Sequence, residues 1–181
     1  NVIDTPPESA MVSPSSDEIK EDCRRVLAID DDLMILELYE NLFSGSQEVA
    51  GGISALDEIK HVTGVDPDVQ EESDHNFDLV VANQGIKGVE KARQALNDGR
   101  PFPVAFIDMR MPPGISGLET AKELRKLDQR IYIVVVSAYS DTSIKEIKRI
   151  LNYGVLYIDK PFNVDELKQV ALNSSDKCIT Q

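Results

Sequence analysis

The stretch Val104-Ala105-Phe106-Ile107-Asp108 decides the fold class of this chain, because it is an unbroken apolar run that ends in an acid. It is followed by Ser116-Gly117-Leu118-Glu119, which has the form of a helix capping box. A continuous apolar strand followed by a helix is typical of a parallel sheet that is covered on both faces. This unit therefore predicts an α/β fold.

The same pairing of an apolar strand with a helix recurs along the chain. Further strands are predicted at residues 25–29, 77–82, 131–136 and 156–158. The first helix is indicated by Ile35, Leu38, Tyr39 and Leu42, which follow the i, i+3, i+4, i+7 pattern of one helix face. Five strands alternating with five helices predict a parallel sheet with right-handed crossovers.

Three segments do not fit this alternation. Residues 1–23 are rich in Pro, Ser and acid and are interpreted as a disordered tail or linker. Residues 44–76 are interpreted as an insertion after the first helix, partly helical and partly too polar to pack. The folded domain is predicted at residues 24–173, and residues 174–181 are assigned to a tail or the start of a linker.

Composition restricts the function. The net charge of −13 argues against direct binding of nucleic acid or of an anionic membrane, and it favours a cationic ligand such as a metal ion. No apolar run reaches the ~20 residues needed to span a bilayer, and the acidic N-terminal stretch is not a signal peptide. We therefore expect a cytoplasmic protein. The chain begins with Asn1, which is interpreted as the start of a piece of a longer protein.

Two cysteines, Cys23 and Cys178, lie near opposite ends of the chain. They form no CxxC pattern and have no histidine at metal-ligand spacing. We expect two reduced thiols, as is usual in the cytosol.

Polar groups follow four of the five predicted strands, where the ligand sites of parallel sheets lie. They are Asp30 and Asp31 after the first strand, Asp108 after the third, Ser137 after the fourth and Lys160 after the fifth. Each alone is commonly a cap, a turn residue or a solvated charge. Their joint occurrence at one edge of one sheet indicates a functional site.

The chemistry of this set is specific. Three converging carboxylates repel one another unless a cation neutralises them, and hard oxygen ligands suit Mg²⁺. A carboxylate nucleophile can accept a phosphoryl group as an acyl phosphate. A lysine and a divalent ion can then hold the charge of the phosphoryl oxygens.

Four stretches resemble the receiver domain of response regulators in two-component signal transduction. They are VLAIDDD at 26–32, AFIDMRMPPGISGLE at 105–119, IVVVSAY at 133–139 and LYIDKPF at 156–162. The resemblance implies a flavodoxin-like (βα)5 doubly wound fold with strand order 2-1-3-4-5. It also implies phosphorylation by a sensor histidine kinase or a phosphotransfer protein, with catalysis limited to the domain's own phosphorylation and dephosphorylation. Any output enzyme domain would lie outside this chain.

The resemblance also assigns roles to residues. Asp108 matches the phosphoacceptor, and Asp30 and Asp31 match the acidic pair that binds Mg²⁺. The backbone carbonyl of Arg110 would be a further metal ligand. Ser137 and Tyr157 match the switch residues, and Lys160 matches the invariant lysine, which usually precedes a cis proline.

The surface expected to change on phosphorylation consists of the fourth helix, the fifth strand and the fifth helix. We expect partner binding or a homodimer there. The DMRMPPG-type loop after the acceptor is one residue longer than the commonest pattern and resembles a subgroup often fused to domains that make or degrade cyclic di-GMP.

Three other classes of protein share some of these features. A haloacid-dehalogenase-type phosphatase also uses a strand-end aspartate, but it needs its acidic metal pair after the lysine, and here only Asp165 and Glu166 follow Lys160. A phosphorylation-independent interaction module with the same fold remains an alternative. A histidine phosphotransfer protein would need an exposed histidine on a helical bundle, and both histidines fall in the 44–76 insertion.

Overall fold

The structure is a computed structural model, which describes residues 22–43, 76–138, 147, 149, 151 and 153–179. The predicted tail at residues 1–21 and nearly all of the predicted insertion, residues 44–75, lie outside the described residues. None of the helices within the described ranges is long and apolar enough to cross a membrane.

Five parallel strands form one sheet with the order β2-β1-β3-β4-β5, which confirms the predicted order. Their bounds are β1 Arg25–Ile29, β2 Asp78–Ala82, β3 Val104–Asp108, β4 Tyr132–Ser137 and β5 Val155–Asp159. Every residue of β1 and β3 is buried, as expected for central strands that are covered on both faces.

Helices cover both faces of the sheet. Their bounds are α1 Leu33–Phe43, α2 Gly85–Asn97, α3 Gly117–Leu127 and a C-terminal helix at Val164–Ile179. Ile147, Arg149 and Leu151 are also helical, within the segment where the fourth helix was predicted.

Alternate strand residues divide the interior into two cores. Leu27, Ile29, Ala105 and Ile107 pack with α2 and α3. Val26, Ala28, Val104 and Phe106 pack on the opposite face with α1 and the C-terminal helix.

The start of α3 is held tightly against the end of β3. Ser116 accepts a hydrogen bond from the Glu119 N–H, and the Glu119 carboxylate accepts one from the Ser116 N–H, so the predicted capping box is present. At Gly117 a Cβ atom would lie 2.2 Å from the Asp108 carbonyl oxygen. Only glycine permits this close approach, which brings the helix cap directly behind Asp108.

The two ends of the predicted insertion meet in space. The Phe77 N–H donates to the Phe43 carbonyl over 3.2 Å, and the two rings pack edge to face with centroids 5.3 Å apart. The chain therefore leaves at the end of α1 and returns at the start of β2, next to the point of departure. This point lies at the edge of the sheet opposite the strand carboxyl ends.

The C-terminal helix is longer than the sequence predicts. It continues to Ile179, past the boundary predicted at residue 173, and Ser174 and Ser175 are buried in it. Their hydroxyls donate to the carbonyls of Val170 and Ala171, and this local pairing lets small polar residues lie on a packed helix face.

The expectation of two reduced thiols is also corrected. Cys23 and Cys178 are joined in a disulfide, with Cα atoms 5.5 Å apart across a sequence separation of 155. The C-terminal helix runs back along the sheet, so that its last turn reaches the residues that precede β1. Cys23, assigned by the sequence to the tail, is buried.

Candidate functional site

The carboxyl ends of the two central strands bring the predicted acids together. Strands β1 and β3 are neighbours, with Ile29 paired to Ile107. The residue that follows each of these two is an aspartate, Asp30 after β1 and Asp108 at the end of β3, and both are buried. The register of one strand pair therefore places two carboxylates side by side.

Lys160 bridges these two carboxylates from the end of β5. Its ammonium donates to Asp30 Oδ2 over 2.7 Å and to Asp108 Oδ1 over 2.9 Å. The side chains are 20% exposed for Lys160, 2% for Asp30 and 10% for Asp108, so the ion pairs are largely shielded from water. Three strands thus contribute to one charge cluster.

The electrostatics follow from burial and pairing. Burial raises the pKa of Asp30 above its usual value, although the hydrogen bond from Lys160 opposes this. For Lys160, burial alone would lower the pKa, but hydrogen bonds and charges from Asp30 and Asp108 outweigh it, and the pKa is raised. Lys160 is therefore firmly protonated between its two acids.

Backbone N–H groups fix the orientation of both aspartates. The Asp32 N–H donates to Asp30 Oδ1 over 3.0 Å, and the Arg110 N–H donates to Asp108 Oδ2 over 2.6 Å. Each carboxylate thus has one oxygen on Lys160 and the other on the loop that follows its own strand. Asp32 has a local role, because its carboxylate accepts the Met34 N–H at the start of α1.

Three carboxylates form a cluster suited to a metal ion. Oxygen atoms of Asp30, Asp31 and Asp108 lie within 4.8 Å of one another. Asp31 is the most exposed of the three. Hard oxygen ligands with room for water molecules match the requirements of Mg²⁺, so these residues fit the predicted ion. Where the Arg110 carbonyl lies relative to such an ion stays a prediction.

Ser137 lies at the end of β4, one residue beyond the pair formed by Asp108 and Val136. Its carbonyl accepts the Lys160 N–H over 2.8 Å, so the backbone of β4 helps to place the lysine. Tyr157 is half-buried on β5 and packs against the core on the α2 and α3 face, and this burial raises its pKa. The structure brings all the predicted strand-end residues to one edge of the sheet.

The loop after Asp108 holds a feature that sequence reasoning missed. The Gln84 side-chain amide donates to the Pro112 carbonyl over 3.4 Å, and Gln84 Oε1 is buried beside Gly114. Two peptide bonds within the described part of the chain are cis, Pro112–Pro113 and the predicted Lys160–Pro161. Because Gln84 and Pro112 are 28 residues apart, no local sequence pattern predicts their contact.

The fold and site define a class of protein: a five-stranded parallel α/β domain with an acidic cluster and a lysine at the strand carboxyl ends. The family model described as response regulator receiver domain matches residues 72–172, more than half of the chain. The chain belongs to this family. The match begins just before β2, so Asp30 and Asp31 lie outside it. In the structure, β1 pairs with β3 and brings these two aspartates to the site.

Curated relatives agree with this assignment. The transcriptional regulatory protein ZraR of Klebsiella oxytoca is 30% identical over 95 residues, which is 51% of this chain and 19% of that protein. A cyclic di-GMP phosphodiesterase of Thermotoga maritima is 31% identical over 93 residues, which is 51% of this chain and 23% of that protein. The matched part of the chain thus spans about a fifth of the length of these relatives.

Solved structures share the fold. A CheY-like response regulator receiver domain protein from Methanospirillum hungatei superposes with a TM-score of 0.58 at 20% identity. The superposition covers 86% of this chain and 95% of that one. A superposition over this share of the chain must include β1, so the described residues, and not only the stretch that matches the family model, have the receiver fold.

Proposed function

We propose that Asp108 is the phosphoacceptor of this receiver domain and that Lys160 and the acidic pair Asp30 and Asp31 assist its phosphorylation. The observation that carries the proposal is the Lys160 ammonium, which contacts Asp108 at 2.9 Å and Asp30 at 2.7 Å. It places a positive charge beside the Asp108 oxygen that would become the bridging oxygen of the acyl phosphate.

The reaction follows from this geometry. An Asp108 oxygen attacks the phosphorus of a phosphohistidine or a small acyl phosphate, and the bond between phosphorus and the leaving group breaks. The Arg110 N–H holds one Asp108 oxygen and so orients the other for attack. Lys160, released from Asp108, pairs with a phosphoryl oxygen. Asp30, Asp31, Asp108 and the Arg110 carbonyl would hold Mg²⁺, which when bound neutralises charge on the phosphoryl group.

A switch would couple phosphorylation to the surface around β5. The phosphoryl group adds strong acceptor oxygens at Asp108, and the Ser137 hydroxyl donates to one of them. The space left behind β4 is filled by Tyr157, which turns inward. Because packed cores have discrete arrangements, the change is two-state. The face formed by the predicted fourth helix, β5 and the C-terminal helix then dimerises or binds a partner.

The setting is that of cytoplasmic two-component signalling. The phosphoryl donor is a sensor histidine kinase or a phosphotransfer protein, and this chain turns over no other substrate. An output domain elsewhere in the full-length protein acts on the signal. The similarity to a cyclic di-GMP phosphodiesterase supports an output enzyme of that kind.

Phosphorylation of Asp108 is tested with acetyl phosphate and Mg²⁺, followed by trapping of the acyl phosphate and peptide mapping. We expect one modified residue, lost in Asp108→Asn and retained in the exposed control Asp98→Asn. Full modification of the Asp108→Asn variant would overturn the assignment.

The metal and the switch have separate tests. Calorimetry should show no Mg²⁺ binding by Asp31→Ala and weakened binding by Asp30→Asn, because Asp31 would hold the ion directly and Asp30 would hold it through water. Ser137→Ala should accept a phosphoryl group without the change in association state or in Tyr157 fluorescence. A wild-type response in Ser137→Ala would disprove the coupling.

A further inference from the structure

The edge of the sheet opposite the phosphorylation site contains a cavity of about 440 Å³. It lies among the residues that precede β3, the start of β4 and the last turn of the C-terminal helix. Its lining includes Phe102, Arg130, Tyr132, Lys177 and Cys178. The cavity shares no residue with the site described above.

One wall of this cavity is formed by Cys178, which is joined to Cys23 in the disulfide. Cys23 is buried, with 3% of its surface exposed, whereas Cys178 is partly exposed and lines the cavity. A reagent that enters the cavity therefore meets Cys178 before Cys23. Attack at that sulfur expels Cys23 as the leaving thiolate.

The other walls carry charges of both signs beside aromatic surface. Asp22, Asp128, Arg130 and Lys177 line the cavity, and the Lys177 ammonium lies 5.0 Å from the centre of the Tyr132 ring. Arg130 pairs with Asp128 through Nε at 3.1 Å and Nη2 at 3.2 Å, and its side chain stays 67% exposed, so the guanidinium remains accessible to a ligand. A small molecule with both amino and carboxylate groups matches this lining.

Disulfides in a reducing compartment are usually transient and redox-sensing rather than structural. The cytoplasmic setting proposed above, together with a disulfide open to a cavity, fits that type. This disulfide also joins two parts of the fold, because it ties the last turn of the C-terminal helix to the residues before β1.

We propose that Cys178 is a thiol–disulfide exchange site, at which a zwitterionic thiol of tripeptide size docks in this cavity and attacks the Cys178 sulfur. The incoming thiolate forms a bond to Cys178 Sγ, the bond between the two cysteines breaks, and Cys23 leaves as a thiolate that takes up a proton. A second thiol then attacks the mixed disulfide, releasing the oxidised small molecule and the Cys178 thiol. Reduction frees the last helical turn from β1.

Glutathione is the probe, with 2-mercaptoethanol as the uncharged comparison at equal thiolate concentration. The oxidised chain is treated with each thiol, quenched with acid and mapped by peptide mass. We expect the mixed disulfide on Cys178, a free thiol on Cys23, and a rate about fivefold higher with glutathione, the size of effect that one exposed charge contact gives.

Matched variants assign the preference to the cavity. Lys177→Ala should lower the glutathione rate about threefold to fivefold and leave the 2-mercaptoethanol rate unchanged, since one exposed contact is lost. Lys168→Ala, on the exposed face of the same helix, should change neither rate. In the Cys23→Ser variant, the remaining Cys178 thiol should react with oxidised glutathione to form a mixed disulfide. In the Cys178→Ser variant, the buried Cys23 thiol should not react.

Three results would overturn the proposal. They are an adduct found mainly on Cys23, equal rates for the two thiols that Lys177→Ala does not alter, and failure of the purified chain to form the disulfide under mild oxidation. None of these outcomes depends on phosphorylation of Asp108, so the proposed function is tested separately.

Discussion

Replacement of Lys160 by Met should destabilise the fold through the two acids that it bridges. Met keeps much of the length of the side chain but removes the ammonium that contacts Asp30 and Asp108 at 2.7 and 2.9 Å. The two aspartates would then face each other with no cation between them. The variant therefore isolates the charge from the packing of the lysine stem.

The magnitude follows from burial. Removing one partner of a buried ion pair costs about 3–5 kcal/mol because the remaining charge stays desolvated. Asp30 and Asp108 are 2% and 10% exposed at their side chains, but Lys160 is 20% exposed and water reaches the cluster from one side. We expect the lower end, about 3 kcal/mol.

Urea unfolding in the presence of a chelator measures this loss. Lys126→Met is the control, since Lys126 pairs with Glu123 on the surface and is 70% exposed, and its loss should cost under about 1 kcal/mol. Adding Asp30→Asn to Lys160→Met should recover much of the stability, because one of the two unpaired acids is neutralised. Added Mg²⁺ should also recover it, and more strongly than it stabilises the wild type, since the ammonium no longer competes for the carboxylates.

The explanation is wrong if Lys160→Met costs no more than Lys126→Met. It is also wrong if Asp30→Asn destabilises the Lys160→Met background as much as it destabilises the wild type. Either result would mean that the acids are already solvated and that Lys160 does not compensate them.

Three further predictions concern the rest of the chain. Replacing residues 44–75 by a short Gly-Ser linker should preserve Asp108 phosphorylation and cooperative unfolding, because Phe43 and Phe77 already meet; loss of the folded state would contradict this. Hydrogen bonds from Ser116 hold the pKa of Glu119 below its ordinary 4.5, so the cap stabilises α3 above that pH and is lost as the pH falls through the lowered value. An NMR titration should therefore show that Ser116→Ala raises the pKa of Glu119. Finally, Cys178→Ser should lower the free energy of unfolding by at most about 5 kcal/mol, which is the chain-entropy limit for a loop closed across 155 residues. A urea midpoint equal to that of the oxidised wild type would show that the disulfide does not stabilise the fold.

Local sequence patterns predicted the elements well, because each pattern is complete within a few residues. The apolar run at residues 104–107 is a strand in both prediction and structure, and Ser116 and Glu119 form the expected capping box. Strand order and the positions of the acids came from the resemblance to receiver domains together with the rule that sites lie at strand carboxyl ends. Here the structure agrees, because parallel strands with matching register align their ends.

The sequence by itself thus determined the strands and helices for which the structure gives bounds, the edge of the sheet that carries the site, and the acids and lysine that meet there. The tertiary structure alone decided how those charges pair, since Lys160 and Asp30 are 130 residues apart. Only the tertiary structure shows that Cys23 and Cys178 form a disulfide and that the C-terminal helix continues as far as Ile179. The physical reason is that helix and strand signals depend on neighbours within a turn or two, whereas these contacts exist only once the sheet brings distant segments together.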